Sequence, residues 1–387
     1  MTNFEIQLEE LLKKDPAQLA SVQKTYFKKM TAENGERFVL FGSGHLGRFT
    51  LTGLRKAGVE PLAFADNNSK IWGKEINGLK VISPQSMADL FGTNAVFVTT
   101  VYTSAPVRKQ LTGMGLKVVS FASLAWQYPQ SLTPHNSVML PGKIFEQADD
   151  VRKALHLWAD ETSRREYLGQ LLWHSILDES VLPAHMPQDD IYFAGDLFTF
   201  VEDEVFCDCG AFDGDSVQKF LKCRSGAFDQ IIAIEPDPKN CRALAFWVES
   251  LPTETGRRIK IIQSAAGSKR ERVRFNLTGT VSSSVGEGDF EVQCAPLDEL
   301  CDKKPTFIKM DIEGAEPDAL LGARNIIKND LPVLAVCLYH NQEHLWKIPL
   351  LIQSISSEYN FFLKRYSDEC WELVCYAVPN HRLKALK

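Results

Sequence analysis

The sequence predicts an α/β protein built on a largely parallel sheet with helices on both faces. Three observations carry that prediction. From Val201 onward, short apolar and β-branched runs alternate with segments of helical periodicity, the pattern of a doubly covered parallel sheet. Twice, a run of strand type passes at once into a glycine-rich turn and a helix start. The first is Gly42-Ser43-Gly44-His45-Leu46-Gly47, and the second is Asp208-Cys209-Gly210-Ala211-Phe212-Asp213-Gly214. After each turn, a second apolar run ends on an acidic residue, Asp66 and Glu235, about twenty residues on.

With 387 residues, the chain is long enough for two domains. It is 44% hydrophobic and 24% charged, ordinary values for a soluble globular protein. A net charge of −6 argues against a general nucleic-acid or anionic-membrane surface, so no nucleic-acid partner is expected. No apolar run is long enough to span a bilayer. Residues 1–14 alternate Glu, Leu and Lys like an amphipathic helix rather than a signal peptide, and a cytoplasmic location is expected. The nine cysteines contain no CxxC pair and read as reduced thiols, with Cys207 and Cys209 as small buried hydrophobes.

In chain order, a helix is expected over residues 1–34, with Leu8, Leu11 and Leu12 on one face, an interruption at Pro16 and a stop at Asn34-Gly35. A strand over 37–41 leads into the first glycine turn. Leu46, Phe49 and Leu54 then keep helical spacing until Gly58, and a strand over 61–66 ends in Asp66. Strand, GxGxxG, helix, strand and acid together form the dinucleotide fingerprint. Gly42, Gly44, Gly47 and Asp66 are therefore candidates for a second nucleotide site, taking NAD or a nucleotide-sugar. The competing reading is that the glycines only make a tight turn and close helix packing. A hairpin over 75–82 turning at Asn77-Gly78, and strands over 95–100 and 117–121, complete about one mononucleotide-binding half. Residues 36–123 resemble the small Rossmann-like domain attached to many sugar-modifying enzymes, and the first domain is expected over 1–125. Pro129, Pro134 and Pro141 mark a linker, followed by helix over 149–177 with Trp158 and Trp173 as core residues, so that 126–190 reads as linker and helical segment.

The third region, 191–387, carries the second glycine turn. Strands are expected over 205–207, 231–234, 259–263, 272–275, 307–310, 333–339, 360–365 and 373–378. The last two are joined by a short loop and should pair antiparallel. Asp208 and Asp213 make the turn acidic, a poor phosphate cradle at a site that favours anions. They suit a ligand with a cationic reactive end and no phosphate, and S-adenosylmethionine fits. Asp208, Gly210, Ala211 and Asp213 are then candidates for the cofactor turn, Glu235 for both ribose hydroxyls, and Ala265 and Ala266 for the adenine.

Three phrases of this region together resemble the FkbM family of S-adenosylmethionine-dependent methyltransferases. They are residues 205–216, Ile234-Glu235-Pro236-Asp237-Pro238, and Phe307-Ile308-Lys309-Met310-Asp311-Ile312-Glu313-Gly314-Ala315-Glu316. Ser282-Ser283-Ser284, Leu297-Asp298-Glu299-Leu300 and Tyr339-His340 sit where similar sequences have theirs. The resemblance covers residues 190–380. It implies the class I methyltransferase fold, a mostly parallel seven-stranded sheet with a terminal antiparallel strand. It also implies methyl transfer to oxygen, often a hydroxyl of a sugar or a polyketide. One departure is Ala211-Phe212-Asp213-Gly214, where many relatives carry Ala-Asn-x-Gly.

The Lys-x-Asp-x-Glu run has a physical meaning of its own. On a strand, Lys309, Asp311 and Glu313 point to one face. A buried Lys309 needs an acidic neighbour, and the carboxyl end of a central strand lies at the ligand face. Asp311 is thus a candidate for catalysis or cofactor positioning, against the alternative of a structural ion pair. His340 ends the next strand, where a neutral imidazole could remove a hydroxyl proton, or merely cap the turn. Lys309, Asp311 and His340 form the expected catalytic set. His340 and His344 are four apart, but no third ligand besides Asp311 is evident, and no metal is expected. The expected function is O-methylation of a sugar, glycan or secondary-metabolite hydroxyl, with a small molecule or glycan as acceptor. The alternatives are an NAD-dependent or nucleotide-sugar-modifying enzyme using the N-terminal fingerprint, and a non-catalytic binding protein.

Overall fold

The computed structural model describes residues 2–31, 36–275 and 290–384. The chain forms two compact units. The first comprises Met1–Ala148, Leu168–His185 and Ser367–Trp371, and the second Asp149–Tyr167, Met186–Tyr366 and Glu372–Lys387. Among the described residues, no helix is long and apolar enough to cross a membrane.

The first unit holds six strands: β1 (Phe38–Phe41), β2 (Ala63–Ala65), β3 (Glu75–Ile76), β4 (Leu79–Ile82), β5 (Val96–Thr99) and β6 (Lys117–Ser120). Their order is β3-β4-β2-β1-β5-β6. Neighbours run parallel except in the β3-β4 hairpin, where Asn77 and Gly78 both take positive φ, as a two-residue hairpin turn requires. Val39, Phe41, Ala65, Phe97 and Leu111 form the core on one side of this sheet. The N-terminal helical stretch is two helices, Asn3–Leu12 and Pro16–Thr31. Pro16 opens the second helix, where its missing N–H costs nothing. The expected stop at Asn34-Gly35 lies outside the described residues. Trp126 just before the prolines, and Leu132 and Val138 between them, are buried in the first unit, so this proline-marked stretch carries core residues.

Two buried histidines of this unit give its stability a pH dependence. Burial holds His174 down at about 3, and burial with the nearby His45 charge holds His135 down at about 4. Both folded values lie below the unfolded value of about 6.5, so the unfolded chain binds more protons in between. Stability is full above about pH 6.5 and is lost as pH falls toward the folded values, by up to about 1.4 kcal/mol per pH unit for each histidine. Unfolding midpoints should drop between about pH 6.5 and pH 4.5, and less so in His135→Gln/His174→Gln. An equal drop in the variant would assign the acid sensitivity elsewhere.

The second unit is built on seven strands: β7 (Val205–Cys209), β8 (Gln230–Ile234), β9 (Ile259–Ile262), β13 (Phe307–Met310), β14 (Val333–Cys337), β15 (Tyr359–Arg365) and β16 (Leu373–Pro379). The order is β15-β16-β14-β13-β7-β8-β9. From β14 through β9 all neighbours are parallel, and β16 runs antiparallel to both β14 and β15. This is the α/β methyltransferase fold, with the reversed strand inserted beside the sheet edge. The central strands are buried along their whole length, as a doubly covered sheet demands. Phe193, Phe206, Phe220 and Phe307 stack together in one core.

One expected strand sits elsewhere. A separate three-stranded sheet pairs β10 (Ala265–Ala266) in parallel with β12 (Phe290–Ala295), and β12 antiparallel with β11 (Glu271–Phe275). Glu271, Arg272 and Arg274 are exposed, a charge pattern a two-sided buried strand cannot accept, so β11 stays out of the main sheet. Ser282-Ser283-Ser284 lie outside the described residues.

Candidate active site

The main sheet reverses its winding between β7 and β13, since the chain runs outward through β8 and β9 before returning on the other side. Loops leaving the carboxyl ends of β7 and β13 therefore diverge, which opens a crevice there. Both glycine-turn and Lys-x-Asp-x-Glu segments sit at that point.

Register explains their first contact. Lys309 of β13 lies directly beside Asp208 of β7, so both side chains stand on one face. Lys309 Nζ is 3.0 Å from Asp208 Oδ1 and donates to the Gly210 carbonyl at 2.8 Å. The Ser216 hydroxyl donates to Asp208 Oδ2. Burial alone would neutralise both partners, and it does push the Asp208 carboxyl up. For Lys309, the charges of Asp208 and Asp311 outweigh burial and hold the ammonium well above its usual range. The face of Tyr192 lies 5.2 Å from the same ammonium. Lys309 thus ties the end of β7 to β13 and holds the glycine turn by its carbonyl.

The turn is held just as closely from β8. Gly210 N and Ala211 N donate to the Ile234 carbonyl at 2.9 Å and 3.1 Å. Glu235 Oε2 accepts from Phe212 N at 3.0 Å, and Oε1 accepts from Asp237 N at 2.9 Å and Asn240 Nδ2 at 3.2 Å. Burial pushes the Glu235 carboxyl up, against these three donors. Gly210 has φ +80°, and a Cβ there would stand 2.0 Å from the Asp311 carbonyl oxygen, so only glycine lets β7 and β13 close up at the crevice. Asp213 is exposed on the same turn, while Ala265 and Ala266 are buried in β10.

Beyond β13, Asp311 leaves the strand and meets three side chains. Tyr192 and Tyr339 donate their hydroxyls to Asp311 Oδ2 and Oδ1 at 2.7 Å and 3.0 Å. His340 Nε2 lies 3.3 Å from Oδ1 and 3.7 Å from Glu313 Oε2. Its Nδ1 is 2.7 Å from Glu316 Oε1. Glu316, the first residue of helix Glu316–Gly322, also accepts from Ile312 N at 3.0 Å. Tyr192 and Glu313 both hold positive φ, strained for non-glycine residues, and both belong to this cluster.

Burial alone would keep His340 neutral, but the carboxylates of Glu316, Asp311 and Glu313 prevail and push it up to about 10. With these partners alone, the carboxylates favour the charged, donating form of the ring over the neutral form. Glu316 is held down at about 2 against burial, chiefly by the His340 charge. Burial pushes Glu313 up to about 8 and Glu372 up to about 7, with the Asp311 charge adding to both. Asp311 and His340, expected at the ends of adjacent strands, do come together. Tyr192, Glu316 and Glu372 were absent from the sequence-derived set.

In the first unit, a Cβ on Gly47 would stand 2.0 Å from the Gly42 carbonyl oxygen, so the third glycine serves close helix packing. Gly42 has φ +109°, and a Cβ on Gly44 would meet nothing within 4 Å. Asp66, like Glu235, accepts three hydrogen bonds from its own turn. Its Oδ2 accepts from Ser43 N at 3.0 Å and Ser43 Oγ at 2.8 Å, and its Oδ1 from Asn68 N at 2.9 Å.

Comparison with known proteins bears on the second unit. Residues 208–366 match the family model of the methyltransferase FkbM domain. A methyltransferase FkbM of Methylobacillus flagellatus KT is similar over 94% of this chain and 100% of its own, with 23% identity and a TM-score of 0.74, which shows the fold. An rRNA methylase of Streptococcus thermophilus is similar over 51% of this chain and 98% of its own, at 10% identity and a TM-score of 0.33. A precorrin-6y C5,15-methyltransferase of Geobacter metallireducens GS-15 covers 46% of this chain and 80% of its own, at 13% identity and a TM-score of 0.30. The last two likenesses carry no weight for activity. No curated protein matches the chain.

Proposed function

We propose that this chain, with its methyltransferase FkbM domain at residues 208–366, transfers the methyl group of S-adenosylmethionine to a hydroxyl of a sugar, glycan or secondary metabolite. One observation carries the reading. An acidic glycine turn after β7, a ribose-type carboxylate after β8 and a carboxylate cluster after β13 and β14 share the carboxyl edge of one parallel sheet.

The residues fit that cofactor. Helix Asp215–Arg224 begins behind Gly214 with Asp213 and Asp215 exposed beside it, so the charge there opposes a phosphate and favours a cation. Glu235 uses three of about four carboxylate lone-pair sites on the turn, which leaves capacity for a ribose hydroxyl. Asp208 and Gly210 hold the turn in place, Ala211 and Asp213 line it, and Ala265 and Ala266 flank the adenine. When bound, S-adenosylmethionine supplies a sulfonium methyl carbon open to in-line attack by oxygen.

Asp311 then receives the acceptor's hydroxyl hydrogen bond as the oxygen attacks, with its carboxylate fixed by Tyr192, Tyr339 and His340. Glu313, raised to about 8, is matched to hold the released proton near neutral pH. His340 offers charge stabilisation to a developing alkoxide.

Calorimetry with S-adenosylmethionine tests the reading. Glu235→Ala should weaken binding by about 1.5–3 kcal/mol, the loss of a charge-assisted hydrogen bond. Absence of binding to the parent chain, or unchanged affinity in the folded variant, would remove the assignment. NAD and a nucleotide-sugar, titrated in parallel, distinguish the alternative enzymes.

A further inference from the structure

The cluster after β13 and β14 holds more acid than one imidazole can balance. Asp311, Glu313 and Glu316 all lie within ion-pair reach of His340, and Glu372 adds its field. Glu316 Oε1 takes Nδ1, so Nε2 is the ring atom presented to the other two. That atom is buried and has no hydrogen-bond partner among the described residues, on a side chain that is 1% exposed. It faces Asp311 Oδ1 at 3.3 Å and Glu313 Oε2 at 3.7 Å. An imidazole oriented by a carboxylate at one nitrogen and aimed at two carboxylate oxygens with the other is the construction of a metal site.

We propose that His340 Nε2, Asp311 and Glu313 bind one divalent first-row transition-metal ion, with Glu316 as the carboxylate that orients the imidazole. The inference deepens the methyl-transfer reading and rests on it for the ion's role. Donors about 2.1 Å from one ion, at angles between octahedral and tetrahedral, stand roughly 3.0–3.4 Å apart. The His340–Asp311 separation of 3.3 Å falls in that range, and Glu313 Oε2, 3.7 Å from the same nitrogen, must advance to come within it. Asp311, Glu316 and His340 also each offer an atom within 4.8 Å of the other two. Glu316 is the orienting member because its Oε1 is engaged by Ile312 N and His340 Nδ1, while its Oε2 stands 3.4 Å from His344 Nδ1. One imidazole with carboxylates favours ions of the Mn²⁺ or Zn²⁺ class over Mg²⁺ and Ca²⁺, which prefer all-oxygen sites. On binding, the ion replaces the Nε2 proton and adds the positive charge that four carboxylates call for. Held there, it would polarise an acceptor hydroxyl and ease loss of its proton, taking over the charge stabilisation given above to the metal-free imidazolium.

The test is titration of the metal-stripped full chain with Co²⁺, followed by visible absorption, and with Mn²⁺, followed by calorimetry. One equivalent should bind, with d–d bands and no sulfur-to-metal charge-transfer band. Asp311→Asn and Glu313→Gln should each weaken binding at least tenfold, and Glu316→Gln by about ten- to a hundred-fold through the imidazole's orientation. Circular dichroism confirms that each variant is folded. Lack of stoichiometric binding would overturn the proposal. So would a charge-transfer band, which would place the ion on one of the nine cysteines. Unchanged affinity in the folded Asp311 and Glu313 variants would do the same. S-adenosylmethionine affinity, measured on the same samples, separates the two claims: cofactor binding without metal binding rejects this site alone, and metal binding without cofactor binding rejects the methyl-transfer reading alone.

Discussion

Asp311→Asn is expected to lower methyl-transfer turnover by at least about a hundred-fold, within the range a positioned base contributes. An alcohol is a weak nucleophile while it keeps its proton, and Asp311 is the half-buried carboxylate at the crevice. Its two oxygens are oriented by Tyr192 and Tyr339, at 2.7 Å and 3.0 Å, and by His340. Asparagine keeps the shape but loses the charge and half the acceptor capacity. Cofactor affinity should fall less than turnover, since the carboxylate contributes only a longer-range attraction to a sulfonium. His340→Ala should lower turnover comparably, because it removes the cation between Asp311, Glu313 and Glu316, and it should leave cofactor affinity nearly intact. The measurement is single-turnover methyl transfer with a hydroxyl acceptor. A co-crystal with S-adenosylhomocysteine supplies a second check. Turnover within threefold of the parent would reject the role, and so would both side chains lying more than about 8 Å from the sulfur and facing away from the crevice, because a base must reach its proton directly or through one water.

The sequence carried the sheet further than it carried the site. Strand positions were legible because the central strands are continuous apolar runs, and β13 and β14 are neighbours, so Asp311 and His340 meet as their strand ends implied. Lys309 demanded an acidic partner and found Asp208, which only cross-strand register could identify. What stayed hidden depends on contacts between segments far apart in sequence. Tyr192 comes from a loop ahead of β7 and reaches Asp311 from 119 positions away. Glu316 reads as an ordinary first-turn acid, yet its second task is to charge His340. That charge state cannot be read from a lone histidine at a strand end, since its sign depends on how many carboxylates surround it. The N-terminal fingerprint shows the same limit. Gly47 lets the helix pack closely on the turn, and Asp66 accepts from Ser43 and Asn68, contacts that the pattern alone does not state.

Lys309→Met is expected to destabilise the second unit by about 3–5 kcal/mol, the cost of leaving a buried charge without its partner. Asp208 is fully buried, and Lys309 at 3.0 Å is its cationic neighbour across the strands. Methionine matches the length of the lysine stem and fills the space, so packing loss stays small and the charge dominates. The Gly210 carbonyl also loses its ammonium donor, which loosens the turn proposed to hold the cofactor. Adding Asp208→Asn to Lys309→Met should recover a large part of the stability, because a neutral amide no longer has to be buried as a charge. It should recover cofactor affinity less, since the turn is still without its tie. Denaturant unfolding of the parent, both single variants and the double variant forms the required cycle. If the double variant is no more stable than Lys309→Met, the uncompensated Asp208 charge is not the source of the loss. If Lys309→Met keeps the parent's stability while turnover collapses, Lys309 acts at the reacting atoms rather than beneath the turn, and the catalytic role first read from the sequence returns.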